Sequence, residues 1–421
     1  MTERQRASRR RTFLRGTAAI AVLSSAGCSG GGGESTTDRD DAGGDGADDS
    51  VEDTPTSTRQ VTTSTESGTE TRDVTPWISS YGDAARTRAT PDASPDTLEP
   101  KTECGFEEPV TNQAPVVTES GVFVLGNRIV RVDPPTGETA YERSVPAGRA
   151  LFVQDGLVVA GGGMGSGRIV AFDAETGDRA WIVEPESFTN VPFPAGEGIG
   201  YVGGTSLGVV DPPSGDHLLE VSVQDRIEFA GFGNVLPHPA AETVYVSREG
   251  IDAYSLADGS RRWHVDMPTP GTGAAHTPLA AVGDQVYVAT ARRELVALDR
   301  ASGEERWRIE TSAVYFAIDE ERVYAAPTSG SITAYDRLEG SELWTTPFTN
   351  RMQGLAAASD ALVYVTSTSL RTLSKTDGEQ QLSLRMDGPI STSGSAFPVA
   401  IAGGNIYFAA GTNRTSGMAV F

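Results

Sequence analysis

Cysteine is almost missing from this chain: Cys28 and Cys104 are the only two in 421 residues. A disulfide framework is thereby excluded, and stability has to come from packing. Lysine is equally scarce. Lys101 and Lys375 stand alone among 34 basic residues, the rest being arginine. Set against 57 acidic residues, this leaves a formal net charge of −23, and no basic patch follows the N-terminal arginines. Nucleic acid is therefore not an expected partner. Only four histidines occur, His217, His238, His264 and His276, and none has His-x-His or His-Glu-x-x-His spacing. No metal site is expected from them. The apolar run over residues 16–26 is too short, and too rich in Ala, Gly and Ser, to cross a bilayer as a stable helix.

What is present is a phrase that keeps returning. Its fullest form is Asp173-Ala-Glu-Thr-Gly177-Asp-Arg-Ala-Trp181, with close copies at Asp299 to Trp307 and Asp336 to Trp344. Looser copies lie at Asp133 to Tyr141, Asp211 to Leu219, Ser255 to Trp263 and Ser374 to Leu382. The glycines fall at 137, 177, 215, 259, 303, 340 and 378, so their spacings are 40, 38, 44, 44, 37 and 38 residues. A strand-bearing period near forty means a propeller or solenoid.

One repeat shows why. Leu279 to Val282 is apolar, Gly283-Asp284 is a turn pair, and Val286-Tyr-Val-Ala289 is rich in β-formers. Leu295 to Leu298 is a third apolar run, and Arg306 to Glu310 alternates in and out. This predicts four short strands joined by hairpins. The aspartate opening the recurring turn can accept hydrogen bonds from the amides ahead of it. The glycine supplies positive φ without Cβ strain, and Pro134-Pro135 and Pro212-Pro213 suit the same turn. The large residue four positions after the glycine (Tyr141, Trp181, Trp263, Trp307, Trp344) is expected on the outer strand, docking against the neighbouring blade.

A single four-stranded sheet cannot bury its two apolar faces alone, whereas blades stacked radially bury both. The marker strand recurs at Val122, Leu157, Ile199, Val244, Val286, Val323, Val363 and Ile406, which predicts an all-β, eight-bladed propeller of four-stranded antiparallel blades. The last copy ends after its third strand, Met418 to Phe421. The stretch Leu98 to Phe106 is the natural donor of the missing one, closing the ring with an N-terminal strand. A monomeric propeller is expected.

Residues 1–27 read as an export leader. Arg10-Arg11-Thr12-Phe13-Leu14-Arg15 has the form of a twin-arginine signal, preceded by Arg4, Arg6 and Arg9. Ser24-Ser25-Ala26-Gly27-Cys28 resembles a lipobox, with Ser25 where leucine is usual and Cys28 as the lipid attachment point. Residues 28–76 read as an acidic tether rich in Gly, Ser and Thr, with little to bury. Residues 77–421 hold the propeller. Such a chain would sit on the outer face of the cell membrane. Its acid-rich, lysine-poor balance fits a very salty medium, where repulsion is screened; the source reads as a halophile, archaeal in type.

Other strings carry little chemistry. Gly204-Thr-Ser-Leu-Gly208 matches G-x-S-x-G but lies between two strands, not at a strand-to-helix turn. Gly161 to Gly167 is glycine-rich yet has no following Lys-Ser/Thr. Asn413-Arg-Thr415 is an N-glycosylation acceptor string.

The phrase Ala171 to Trp181, with its copies at Ala297 to Trp307 and Ala334 to Trp344, resembles the tryptophan-docking repeat of the PQQ-like propeller superfamily. The opening Trp77 to Thr87 is similar to that of exported haloarchaeal members. The resemblance implies the fold and leaves function open, because the superfamily holds enzymes and scaffolds alike. Its enzyme branch oxidises alcohols or sugars with PQQ and Ca²⁺. This chain lacks an adjacent cysteine pair and a Cys-x-x-Cys-His haem string. The scaffold branch includes the propeller lipoprotein of bacterial outer-membrane assembly. The expectation is thus a non-catalytic, lipid-anchored scaffold that binds an envelope protein or a ligand, without catalytic residues, metal or cofactor. Its candidate binding loops are Asp225 to Pro239, with Phe229 and Phe232, and Met267 to Pro278. A small PQQ- and Ca²⁺-dependent dehydrogenase is the alternative, and a ligand sensor coupled to a membrane partner is a third possibility.

Overall fold

The computed structural model describes residues 88–106, 114–126, 128–145, 150–161, 167–184, 191–227, 235–238, 242–247, 250–267, 279–290, 292–386, 399–411 and 416–421. Among them every regular element is a strand, and none is a helix that could cross a membrane.

The first strand among the described residues is β1 (Thr102–Phe106), and the sheets then follow in order. Blade 1 comprises β2 (Val116–Thr118), β3 (Gly121–Leu125), β4 (Arg128–Val132) and β5 (Thr139–Ser144). Blade 2 comprises β6 (Ala150–Gln154), β7 (Leu157–Gly161), β8 (Ile169–Asp173) and β9 (Arg179–Val183). Blade 3 comprises β10 (Val191–Ala195), β11 (Gly198–Val210) and β12 (His217–Ile227). Blade 4 comprises β13 (Val235–His238), β14 (Thr243–Ser247), β15 (Gly250–Ser255) and β16 (Arg261–Asp266). Blade 5 comprises β17 (Leu279–Val282), β18 (Gln285–Ala289), β19 (Glu294–Asp299) and β20 (Glu305–Glu310). Blade 6 comprises β21 (Tyr315–Ile318), β22 (Arg322–Ala326), β23 (Gly330–Asp336) and β24 (Glu342–Phe348). Blade 7 comprises β25 (Met352–Ala357), β26 (Ala361–Thr366), β27 (Ser369–Ser374) and β28 (Gln380–Arg385). Blade 8 takes β29 (Val399–Ala402), β30 (Asn405–Gly411) and β31 (Ser416–Val420) from the C-terminus.

Each blade is an antiparallel meander, and the eight form a β-propeller. The marker strands are the second strands, and most of their lead residues are fully buried. In blade 8 the outermost strand is β1, which pairs antiparallel with β31 from Thr102↔Val420 to Phe106↔Ser416. Blade 3 keeps the four-stranded plan, with its second and third strands contained in one continuous element. Its middle strand, β11, runs unbroken from Gly198 to Val210 and doubles back on itself. A Cβ on Gly198 would lie 2.4 Å from Val209 Cγ1, and one on Gly208 would lie 2.1 Å from the Tyr201 ring, so the two halves lie side by side. The G-x-S-x-G string is the bend of that strand.

The first strands β2, β6, β10, β13 and β17 touch in succession, as do β21, β25 and β29, and β29 returns to β2, so these strands line the axis. The core is not at the axis but between blades. One apolar cluster joins Phe123 and Ile129 of blade 1 to Val158 and Phe172 of blade 2. Others join blades 2 and 3, 3 and 4, 4 and 5, 5 and 6, and 6 and 7. A large one spans blades 7, 8 and 1. This explains why second strands such as β18 and β26 are buried at every position: each is covered on both faces. Outer strands turn only one or two positions inward. The pattern in β5, β16 and β20 is the same, with only the third residue buried: Tyr141, Trp263 and Trp307.

Candidate functional site

The recurring turn is built by its own sequence. The amide of each phrase glycine donates to the carbonyl four residues back, as from Gly177 to Asp173 at 2.9 Å and from Gly340 to Asp336 at 2.9 Å. Asp173 Oδ1 accepts from the amides of Glu175 and Thr176, and Asp336 Oδ1 accepts from those of Leu338 and Glu339. The seven glycines have φ between 69° and 77°. There is a second reason for glycine here. A Cβ on Gly215 would lie 2.8 Å from the Trp181 ring of the preceding blade, one on Gly340 2.8 Å from Trp307, and one on Gly378 2.5 Å from Trp344. The bare α-carbon is the floor on which the neighbour's indole rests.

The indole also donates. Trp181 Nε1 donates to Pro212 O at 2.6 Å, Trp263 to Arg300 O at 3.0 Å, Trp307 to Arg337 O at 2.9 Å and Trp344 to Lys375 O at 2.8 Å. Every acceptor is the residue directly after the first residue of the next blade's turn. In the first seam the Tyr141 hydroxyl donates to Ala174 O at 3.1 Å, while Arg143 lies over the tyrosine ring. Burial pushes the Tyr141 hydroxyl up to about 12, so it stays protonated. Burying a side chain of this size is worth roughly 2–3 kcal/mol per seam.

Two seams return the contact through side chains, and a third through charge. Arg337 reaches back from blade 6 into blade 5, donating to Val282 O at 3.2 Å and to the Tyr287 hydroxyl at 3.4 Å. Lys375 reaches back from blade 7 into blade 6, 2.7 Å from Asp319 Oδ2, and both side chains are largely buried. Burial works to raise the Asp319 carboxyl, but the Lys375 ammonium together with the Glu321 and Arg322 amides outweighs it and holds the group below its ordinary value. The Tyr324 hydroxyl donates to the same carboxylate at 3.1 Å and is driven upward by burial and then by that negative charge. Arg300 occupies the matching turn position of blade 5, and its charge acts on buried Tyr245. The reading of the sequence missed these cations. Their signal was available: a basic residue follows the turn's first residue at 300, 337 and 375, where the preceding blade carries Tyr245, Tyr287 or Tyr324.

Aromatic docking is not continuous around the ring. Blade 3 offers Leu219 at the docking position and blade 7 offers Leu382. On the inside, residues 88–94 lie against blades 6, 7 and 8. Ala89 forms a parallel bridge with Ala357 of β25, and Ser94 binds Asp360 through both its amide and its hydroxyl.

Among the described residues, the polar groups outside the seams do not converge on one point. His264 bridges two carboxylates, Nδ1 to Asp252 Oδ1 at 2.9 Å and Nε2 to Asp266 Oδ1 at 3.0 Å. Its imidazole is raised by the bond to Asp266, then by Asp252, against a burial penalty. Both ring nitrogens are thus spent on different carboxylates. His217 pairs with Glu220 at 3.0 Å on the exposed start of β12. Among the described residues no group of three or more His, Cys, Asp or Glu side chains is arranged to hold a metal ion. Cys104 lies in β1, His238 in β13, and Asp225 to Ile227 end β12. Arg10, Arg11, Cys28, Phe229, Phe232, His276, Asn413 and residues 268–278 lie outside the described residues.

The fold and the seams define a repeat propeller of the tryptophan-docking type. A family described as outer membrane protein assembly factor BamB matches residues 86–226, 165–314 and 310–420, and the chain belongs to that family. A search of curated protein sequences finds no match. Among solved structures, BamB from Moraxella catarrhalis is similar at 17% identity and TM-score 0.58, covering 77% of this chain and 100% of that one. The quinohemoprotein alcohol dehydrogenase ADHIIG from Pseudomonas putida HK5 is similar at 13% identity and TM-score 0.64, covering 82% and 80%. The computationally designed Ika8 protein is similar at 14% identity and TM-score 0.60, covering 75% and 98%. At such identities the likeness is one of fold.

Proposed function

We propose that this chain is a non-catalytic scaffold, exported by the twin-arginine route, anchored through Cys28 to the outer face of the membrane, and binding an envelope protein or ligand through its loops. The observation that carries this reading is where the buried polar groups go. Asp319, Tyr324, Lys375, Tyr287 and Arg337 all meet across blade seams, where they hold the ring. Membership of the BamB family supports an interaction role.

The dehydrogenase alternative asks for a quinone and a Ca²⁺ ion. Hard cations need several converging oxygen ligands. The buried carboxylate Asp319 is already engaged by an ammonium and a phenol, and Asp252 by His264. These residues do not fit that group.

Crosslinking in native membranes followed by affinity capture tests the scaffold reading. A reproducible crosslinked partner, absent when the propeller loops are substituted, is the expected result. Cofactor-dependent oxidation without a partner would overturn it.

A further inference from the structure

The segment before β1 makes a set of contacts that neither the family resemblance nor the blade pattern requires. β25 is the innermost strand of blade 7 and pairs only with β26 within its sheet, so its other edge faces the axis. Residues 88–90 take that edge: Ala357 N donates to Arg88 O at 2.8 Å, and Thr90 N donates to Ala357 O at 2.9 Å. Arg88 is almost fully buried, and its guanidinium donates to Phe316 O of β21 at 3.0 Å, in blade 6. Asp92 then reaches the other way. Its carbonyl accepts from Ser359 N at 2.9 Å, and its carboxylate accepts from Gly403 N at 2.5 Å, in the β29–β30 turn of blade 8. One short stretch of chain therefore ties three consecutive blades from inside the ring.

The position is informative. Blade 7, like blade 3, presents a leucine (Leu382) at the docking position, and blade 8 is completed by the separate strand β1, so the seam between blades 7 and 8 lacks the indole contact. We propose that Arg88–Ser94 is an axial clasp. It runs from the last indole-docked seam, between blades 6 and 7, across to blade 8, where the indole contact is missing, and it keeps the inner edge of β25 paired. A partner that binds by adding a strand at this edge would first have to displace it. The inference does not depend on what the scaffold binds.

Hydrogen exchange on the full chain tests it. Thr90→Pro removes the amide that bonds Ala357, because proline has no N–H. Asp92→Ala removes the acceptor for Gly403. Each variant should speed exchange by about tenfold or more in peptides covering 352–360 and 399–406, and leave 150–184 unchanged. Asp92→Asn, which keeps a side-chain carbonyl, should restore much of the protection. If Thr90→Pro does not fold, Asp92→Ala alone decides. Unchanged exchange at 352–360 and 399–406, or acceleration spread evenly over the ring, would overturn the clasp.

Discussion

Trp307 and Arg337 grip one seam from opposite sides. The indole of Trp307, on β20 in blade 5, donates to the Arg337 carbonyl at 2.9 Å, while the Arg337 guanidinium, from blade 6, donates to Val282 O in blade 5 at 3.2 Å. Neither blade can slide without losing a partly buried hydrogen bond, and a group abandoned there is poorly placed to regain its partner from water. The same exchange joins Trp344 and Lys375.

Glycine at the turn answers to two demands, and two alanine substitutions separate them. Gly156 has φ of +74° with nothing within 4 Å of a would-be Cβ, whereas Gly340 has φ of +70° and a Cβ there would lie 2.8 Å from Trp307. Gly156→Ala should cost about 1 kcal/mol, the left-handed penalty alone. Gly340→Ala should cost about 2 kcal/mol more, by displacing the indole. Denaturant titration of the two variants at fixed salt checks the difference.

The two directions of the seam should be coupled. Trp307→Phe removes the indole donor and leaves the Arg337 carbonyl without it, at about 1–3 kcal/mol. Arg337→Met removes the returning guanidinium. A double-mutant cycle should give a coupling of about 1 kcal/mol, as for residues sharing one network. Strict additivity would mean that the two contacts act independently.

Lys375 gives stability a definite pH dependence. The Asp319 carboxyl is lower in the folded chain than in the unfolded one, where it lies at about 3.9. Its contribution is complete above that value and disappears as pH falls through the folded value. Lys375→Met should therefore destabilise the chain at neutral pH by about 3 kcal/mol and shrink the loss of stability on acidification below about pH 4. Because the pair is largely buried, the neutral-pH loss should persist in high salt. Thermal melts across pH and salt measure both.

Much of this architecture is legible one blade at a time. The glycine period, the Val-Tyr-Val second strand and the four-residue offset from Gly303 to Trp307 are local, and local patterns survive in a single sequence. The rest depends on distant neighbours. Arg337 and Val282 are 55 residues apart, Arg88 and Phe316 are 228 apart, and Asp92 and Gly403 are 311 apart. Nothing in the composition of residues 88–94 announces a clasp, because its bonds to Ala357 and Ser359 are made by main chain. The hairpin inside β11 was legible as well; what a local pattern does not show is how closely its halves approach at Gly198 and Gly208, where a Cβ would meet Val209 and Tyr201.

The proposed anchor has a direct consequence. Cys28→Ser should move the exported chain from the membrane fraction to the medium, and replacing Arg10 and Arg11 with lysine should retain it inside the cell. Fractionation with an antibody to the propeller reads both.

The account rests on the buried side chains serving ring closure and not turnover, and one measurement meets that claim head on. The full-length chain is titrated with PQQ in the presence of Ca²⁺, and dye reduction is followed with a panel of alcohols and sugars. The account predicts no saturable cofactor binding and no substrate-dependent dye reduction. Saturable binding with cofactor-dependent oxidation of any of these substrates would contradict it.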